Sequence, residues 1–190
     1  MFKFCWFFKT LLYRFLFKRI GYNSYVAGIV FLYGGRHITI QNKVRIFPGL
    51  RMEAHNGGSI VIQKDTSIGQ NFHVTSSNEE LVIGAHSTIS GNVFITNIDH
   101  DYKKIDTHIL KQKFIVQKTL IGENCFIGYG AAIQAGTILG KHCVVGANSV
   151  VRGIFPDYSV IVGAPAHIIK RYCFKTHTWK KTNAKGDFVS

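Results

Sequence analysis

Asp99-His100-Asp101-Tyr102 sets an imidazole between two carboxylates, with a phenol beside it. An imidazole ionises near ~6.5 in isolation, so its neutral form can take the proton of a hydroxyl as that oxygen attacks a carbonyl carbon. Such a base commonly contributes ~10²–10⁴ in rate. Asp99 or Asp101 can orient the ring, as carboxylates do in catalytic triads, and a backbone carbonyl can do the same. Asn97 and Tyr102 flank His100 and are placed to touch a substrate. Of the other histidines, His108 follows in the same stretch, and His73 and His86 precede it. Their irregular spacing disfavours a three-histidine zinc site, and no metal is expected.

The elements that carry this stretch are periodic. Ile121, Ile127, Ile133, Leu139, Val145 and Val151 recur every six residues, and Gly122, Gly128, Gly140 and Gly146 follow four of them directly. A small or short residue comes four positions after most of these aliphatics: Cys125, Ala131, Thr137, Cys143, Ser149. The same phase runs through Ile62, Ile68 and Val74 and through Ile83, Ile89 and Ile95, with an echo at Ile40, Ile46 and Met52. Insertions separate these blocks at residues 55–59 and 76–80. Six fits neither a helix nor a plain strand. It describes short strands joined by turns around an apolar axis, an all-β solenoid of hexapeptide repeats. A solenoid buries its own side chains and leaves flat faces, so chemistry has to come from a segment that leaves the coil. The period fails over residues 98–118, and His100 stands at the start of that break.

The run IGENCFIGYGAAIQAGTILGKHCVVGANSVV, with the later Val162-Gly163-Ala164-Pro165-Ala166, resembles the left-handed parallel β-helix acyltransferases. The likeness is greatest to the branch holding maltose and galactoside acetyltransferases and bacterial polysaccharide O-acetyltransferases, and it spans roughly residues 40–170. It implies a triangular prism of about 23–170 with the loop 98–118 extruded; the short N-terminal helix within 1–22 and the basic C-terminal helix or tail over 171–190 lie outside the likeness and are read from the residues themselves. Three hexads make one coil, so Cys125 and Cys143 should stack in the interior. The resemblance also implies a homotrimer with sites between subunits, His100 as general base, and acetyl-CoA as donor. Carried over by position, the cofactor contacts fall on Phe126, Tyr129, Ala147, Arg152, Gly153, His167 and Lys170. Lys170 and His167 stand where the family has arginine, and Phe126 where it usually has tryptophan. Acceptor contacts are expected near residues 76–80, with Asp99, Asn97 and Tyr102 close to the base.

Charge narrows the acceptor. The net charge is +13, with no acidic residue before Glu53 and a basic C-terminal stretch. The first 22 residues are rich in Phe, Trp and Leu but broken by Lys9 and Arg14, too interrupted for a membrane span or a signal peptide. They suit a helix lying in a membrane interface with cations toward anionic head groups, and packing on the domain is the alternative. The expected function is O-acetylation of a sugar hydroxyl in an O-antigen or capsule precursor, on a lipid-linked acceptor at the inner face of the cytoplasmic membrane. The rivals are an N-acetyltransferase of a nucleotide-linked amino sugar and a non-catalytic scaffold. Four scattered cysteines favour a reduced compartment. The charge alone would allow nucleic acid, but no nucleic-acid module is present and no such partner is expected.

Overall fold

The hexad aliphatics all point inward and stack coil on coil. In a computed structural model, which describes residues 2–189 and the side chains of residues 5–189, the strands form three parallel sheets, the faces of a left-handed β-helical prism. Met1, Ser190 and the side chain of Lys3 lie outside the described residues. On the first face Ile40 pairs with Ile62, Ile62 with Ile83, Ile83 with Ile121, and Ile121 with Leu139. The second face stacks Ile46, Ile68, Ile89, Ile127 and Val145, and the third stacks Met52, Val74, Ile95, Ile133 and Val151. These side chains are almost wholly buried. Each is worth ~1.5–3 kcal/mol of transfer from water, so the axial core holds the coils together without help from any pocket.

The corners explain the small and turn-forming residues. Gly122 has an ordinary φ but no room: a Cβ there would sit 2.5 Å from the backbone of Gly140 in the next coil. Other corners use the left-handed conformation, taken by asparagine at Asn71, Asn92, Asn124 and Asn148, a residue that tolerates positive φ. His86 and His142 occupy such corners too, at φ 60 and 57. Cys125 and Cys143 are buried free thiols in adjacent coils, as expected. Their Sγ–H groups donate to the carbonyls of Gly140 at 3.2 Å and Pro156 at 3.3 Å. The contact with Cys143, together with burial, pushes the Cys125 thiol far up, so it stays protonated.

Three segments leave the prism. The break in the repeat is a two-stranded antiparallel ribbon, Ile98–His100 against Phe114–Val116, with a 3-10 turn at Ile109–Lys111 near its tip. The N-terminal helix Phe2–Tyr13 docks on the first coil: Thr10 Oγ1 accepts from the Val26 backbone N–H at 2.8 Å, and Trp6 packs against Tyr25 and Phe47. Its other side leaves Leu12 70% and the following Phe15 74% exposed. The C-terminal segment corrects the expectation of a helix or tail. Ala166–Cys173 runs antiparallel to Ser159–Gly163 and turns back into Thr178–Lys181, extending the second face as a hairpin. Its pairing is regular: Lys170 lies opposite Lys181, Arg171 opposite Lys180 and Tyr172 opposite Trp179, the last two rings 5.6 Å apart.

Candidate active site

His100 is the last residue of the first ribbon strand, paired with Phe114 across the ribbon. The rings meet edge to face at 5.0 Å, which steers the imidazole without using a ring nitrogen. The ribbon is fixed from below. Arg152, at the end of the last third-face strand, donates one amino group to Asp99 Oδ2 at 2.8 Å and to Gln117 Oε1 at 2.9 Å. Asp99 therefore anchors the ribbon to the coil through Arg152. Asp101 caps its own turn, accepting the Lys103 backbone N–H at 3.1 Å. The turn after it is closed by Gln112, whose side chain bonds the backbone of Lys104 and Thr107.

His100 stands where clefts meet. On one side a cleft of about 400 Å³ runs over the third face toward the first coils, past Glu53, His55, His73 and Phe94. On the other, a cleft of about 450 Å³ is bordered by Tyr102, Lys103, Gln117 and Arg152. A third, of about 400 Å³, passes between His100 and the outer ribbon residues toward Asn56 and Asn78. An exposed base at this junction can reach groups bound on either side.

The floor of the first cleft is a charged cluster. Glu53 Oε1 accepts from Arg51 Nε at 2.6 Å and from His73 Nε2 at 3.2 Å, and Oε2 accepts from His55 Nε2 at 3.1 Å. Burial pushes the Glu53 carboxyl up, but the hydrogen bonds from Arg51, His55 and His73 and the charge of Arg51 outweigh it and hold the group below its usual range. His73 is held below the ordinary imidazole range, first by burial and then by the Arg51 charge, against the pull of Glu53.

The expected site residues divide by position. Asp99, His100, Tyr102 and Arg152 come together around the second cleft, with Gly153 next in the chain. Asn97 does not join them. It is fully buried, with Oδ1 accepting from the Ser77 N–H at 2.8 Å and Nδ2 donating to the Ser77 carbonyl at 3.1 Å. It braces the base of the ribbon instead of facing a substrate. Phe126 lies half-exposed on the second face, and Tyr129, bonded to the Asn92 amide, and Ala147 lie in successive turns between the second and third faces. His167 and Lys170 lie on the C-terminal hairpin. Within one chain these residues do not share a cleft with His100. Of the 76–80 segment, Ser76 and Ser77 are buried, while Asn78 is exposed and borders the third cleft beside His100. Glu53, His55, Phe94, Phe114 and Gln117 were not expected. Their signal was the polar alternation of Arg51-Met52-Glu53-Ala54-His55, which puts every second residue outside. His73 lines the first cleft, His108 caps the ribbon's 3-10 turn by accepting from the Leu110 backbone N–H at 3.1 Å and borders none of the three clefts, and His86 is bonded to Asp65 in its corner. Among the described residues no group of three His, Cys, Asp or Glu is placed to hold a metal.

Residues 118–153 match the family model described as bacterial transferase hexapeptide (six repeats). The chain is 35% identical over 144 residues to WbbJ of Escherichia coli K12, a protein named for O-acetyl transfer in lipopolysaccharide biosynthesis, covering 70% of this chain and 71% of WbbJ. The chain belongs to the hexapeptide-repeat acetyltransferase family. It is an acyltransferase. Among solved structures, the polysialic acid O-acetyltransferase OatWY superposes with a TM-score of 0.64 at 26% identity, over 80% of this chain and 72% of that one. AntD, an N-acyltransferase from Bacillus cereus solved with dTDP and coenzyme A, shares the fold with a TM-score of 0.71 at 20% identity, over 88% of this chain and 91% of AntD.

Proposed function

We propose that this hexapeptide-repeat protein transfers an acetyl group from acetyl-CoA to a hydroxyl of a sugar in a cell-surface polysaccharide precursor, with His100 as general base. One observation carries the reading: His100 is exposed at the junction of two clefts, one floored by acceptor groups and aromatic rings, the other bordered by cations. A base that serves a bimolecular transfer has to reach both partners, and holding them there removes the entropy of their encounter. Acetyl-CoA supplies the thioester carbonyl when bound. His100 takes the hydroxyl proton as the oxygen attacks, and returns a proton to the leaving thiolate. Phe114 and the Asp99–Arg152 pair hold the ribbon that aims it. Lys103, Arg152 and Lys170 are exposed cations suited to phosphate groups.

Two further features support the sequence expectations. Outside the first face, Val61, Val82, Leu120, Ile138 and Ile154 form a continuous apolar ladder, with Ile154 79% exposed. Such a stripe favours packing against another copy of the chain, consistent with a homotrimer in which Phe126, Tyr129, Ala147, His167 and Lys170 face the ribbon of a neighbour. The helix exposes Leu12 and Phe15 beside Lys9, Arg14 and Lys18, a surface suited to an anionic bilayer and to a lipid-linked acceptor at its cytoplasmic face. No described helix is long and apolar enough to cross a membrane.

The test is mass spectrometry of acceptors incubated with acetyl-CoA and either the protein or its His100→Ala variant. Lipid-linked oligosaccharides, free sugars and nucleotide-linked amino sugars are offered together. One added acetyl group on a sugar hydroxyl, absent with the variant, is the expected result. Acetylation of the nucleotide-linked amine would replace the acceptor assignment, and equal product with the variant would overturn the role of His100.

A further inference from the structure

The Glu53 cluster is used by nothing in the transfer step, yet it forms the floor of the cleft that opens at His100. The insertions at residues 55–59 and 76–80 lengthen two adjacent third-face strands, Leu50–His55 and His73–Ser77. In register, Arg51 lies beside His73, Glu53 beside Thr75, and His73 beside Phe94. The lengthening therefore brings one carboxylate, two imidazoles and a hydroxyl together on an outer face that a plain hexad would leave flat.

The carboxylate fixes the proton positions around it. His55 Nε2 and His73 Nε2 each lie within hydrogen-bond distance of a Glu53 oxygen. A nitrogen facing a carboxylate is the protonated one, so in each neutral ring Nδ1 is left as an acceptor. Arg51 balances the charge of Glu53. The rings are held by neighbours: His55 stacks on Tyr33 at 4.6 Å, and His73 packs against Phe94 at 4.8 Å with the planes tilted by 49°. Glu53 is only 12% exposed, while His55 is 29% and His73 33% exposed. The cleft is thus lined by two imidazoles whose Nε2 atoms face Glu53, by that carboxylate, and by Phe94 and Phe114. Hydroxyl groups donate to such acceptors, and the C–H face of a sugar ring lies against aromatic rings. A carboxylate on the sugar would instead face the Glu53 carboxylate, with Arg51 Nε, His55 Nε2 and His73 Nε2 already engaged by it.

We infer that Glu53, His55 and His73 form the subsite that holds the acceptor, and that they select a neutral sugar ring over an acidic one. This inference rests on the proposed transfer reaction, and its test separates the two. The intact protein is applied to a printed array of neutral galactose-, glucose- and rhamnose-containing oligosaccharides and of glucuronic- and sialic-acid-containing ones, without acetyl-CoA. Wild type, His100→Ala, Glu53→Gln and His73→Phe are compared, with thermal unfolding to confirm that each variant is folded. Release of coenzyme A from acetyl-CoA in the presence of the same oligosaccharides is measured alongside for wild type and His100→Ala.

The expected result is binding to neutral glycans by wild type and His100→Ala alike, weakened about tenfold to a hundredfold by Glu53→Gln, as loss of hydrogen bonds to a charged group gives. Acceptor KM should rise in the same variant while acetyl-CoA KM stays unchanged. Retained glycan binding by folded Glu53→Gln and His73→Phe, or preference of the wild type for the acidic glycans, would overturn the inference and leave the transfer reaction standing. Failure of the reaction itself would show as no His100-dependent release of coenzyme A, whatever the array shows.

Discussion

The regular coils and the extruded ribbon both carry histidines, and their backbones put them to different use. His86 and His142 fill left-handed corners of the coil. One bonds Asp65 at 3.1 Å, and the other stacks on Tyr158 at 5.4 Å. Their rings serve the turn. His100 lies on a strand that has left the coil, held by a ring edge and not by a hydrogen bond to its nitrogens, with clefts on both sides. A solenoid coil satisfies its own groups, so reactivity collects where the coil is interrupted.

The largest expected effect separates these two kinds of histidine. His100→Ala should lower acetyl-transfer turnover by ~10²–10⁴. His86→Asn and His142→Asn, which keep a residue tolerant of positive φ, should stay near wild type. Comparable losses in all three would erase the distinction.

Next comes the coil itself. Gly122→Ala places a methyl against the backbone of Gly140 and should cost ~1–3 kcal/mol of stability, read as a lower denaturation midpoint in urea. The same assay on Lys104→Ala, on the exposed ribbon, should show a change within ~0.5 kcal/mol. Equal effects would mean that the coil corner is less tightly packed than described.

A smaller effect tests how the ribbon is aimed. Asp99→Asn and Arg152→Ala should each reduce turnover about threefold to tenfold, as displacement of a base does, and the double variant should lose little more than either alone. Stability should hardly change, because an exposed ion pair contributes ~0–1 kcal/mol. Additive losses would show that the two residues act separately, Arg152 then serving a bound phosphate directly.

The smallest concerns the lengthened strands between coil and ribbon. Folding lowers the affinity of His73 for a proton, chiefly through burial. The stability this ring contributes is present above its unfolded ionisation near ~6.5 and is lost as pH falls below it. Glu53 is lowered as well, so its contribution is present above the unfolded value near ~4.3 and is lost in more acidic solution. Between about pH 7 and 5.5 the melting temperature should fall slightly in wild type, and less in His73→Gln. An unchanged slope in that variant would remove His73 as the source.

The same contrast marks what could be read before the structure. The inward aliphatics of the hexads from Ile40 to Val151 were legible, because a fixed period leaves one way to bury them, whereas Ile20, Val26 and Ile161 of the end coils, where the repeat is weaker, were not. The ribbon was legible as a break in that period, and its antiparallel pairing of His100 with Phe114 was not, since fourteen residues separate them without a repeat. Asn97 sits one residue after the buried Thr96, at a corner where alternation stops specifying inside and outside. The Glu53 cluster was hidden because its register depends on insertion lengths: Arg51 meets His73 only when the coil holds twenty-two residues. The C-terminal hairpin was hidden because the hexad period ends before it and residues 166–173 mix buried, half-buried and exposed positions without a strict alternation.

The most direct test is a crystal structure of the His100→Asn variant with acetyl-CoA and an acceptor oligosaccharide. The expected result is the thioester entering from the Arg152 side, the sugar lying over Glu53, and the acceptor hydroxyl within ~3.5 Å of both the thioester carbon and the side chain at position 100. A thioester bound on another face, out of reach of that side chain, would contradict the assignment of His100 as the base.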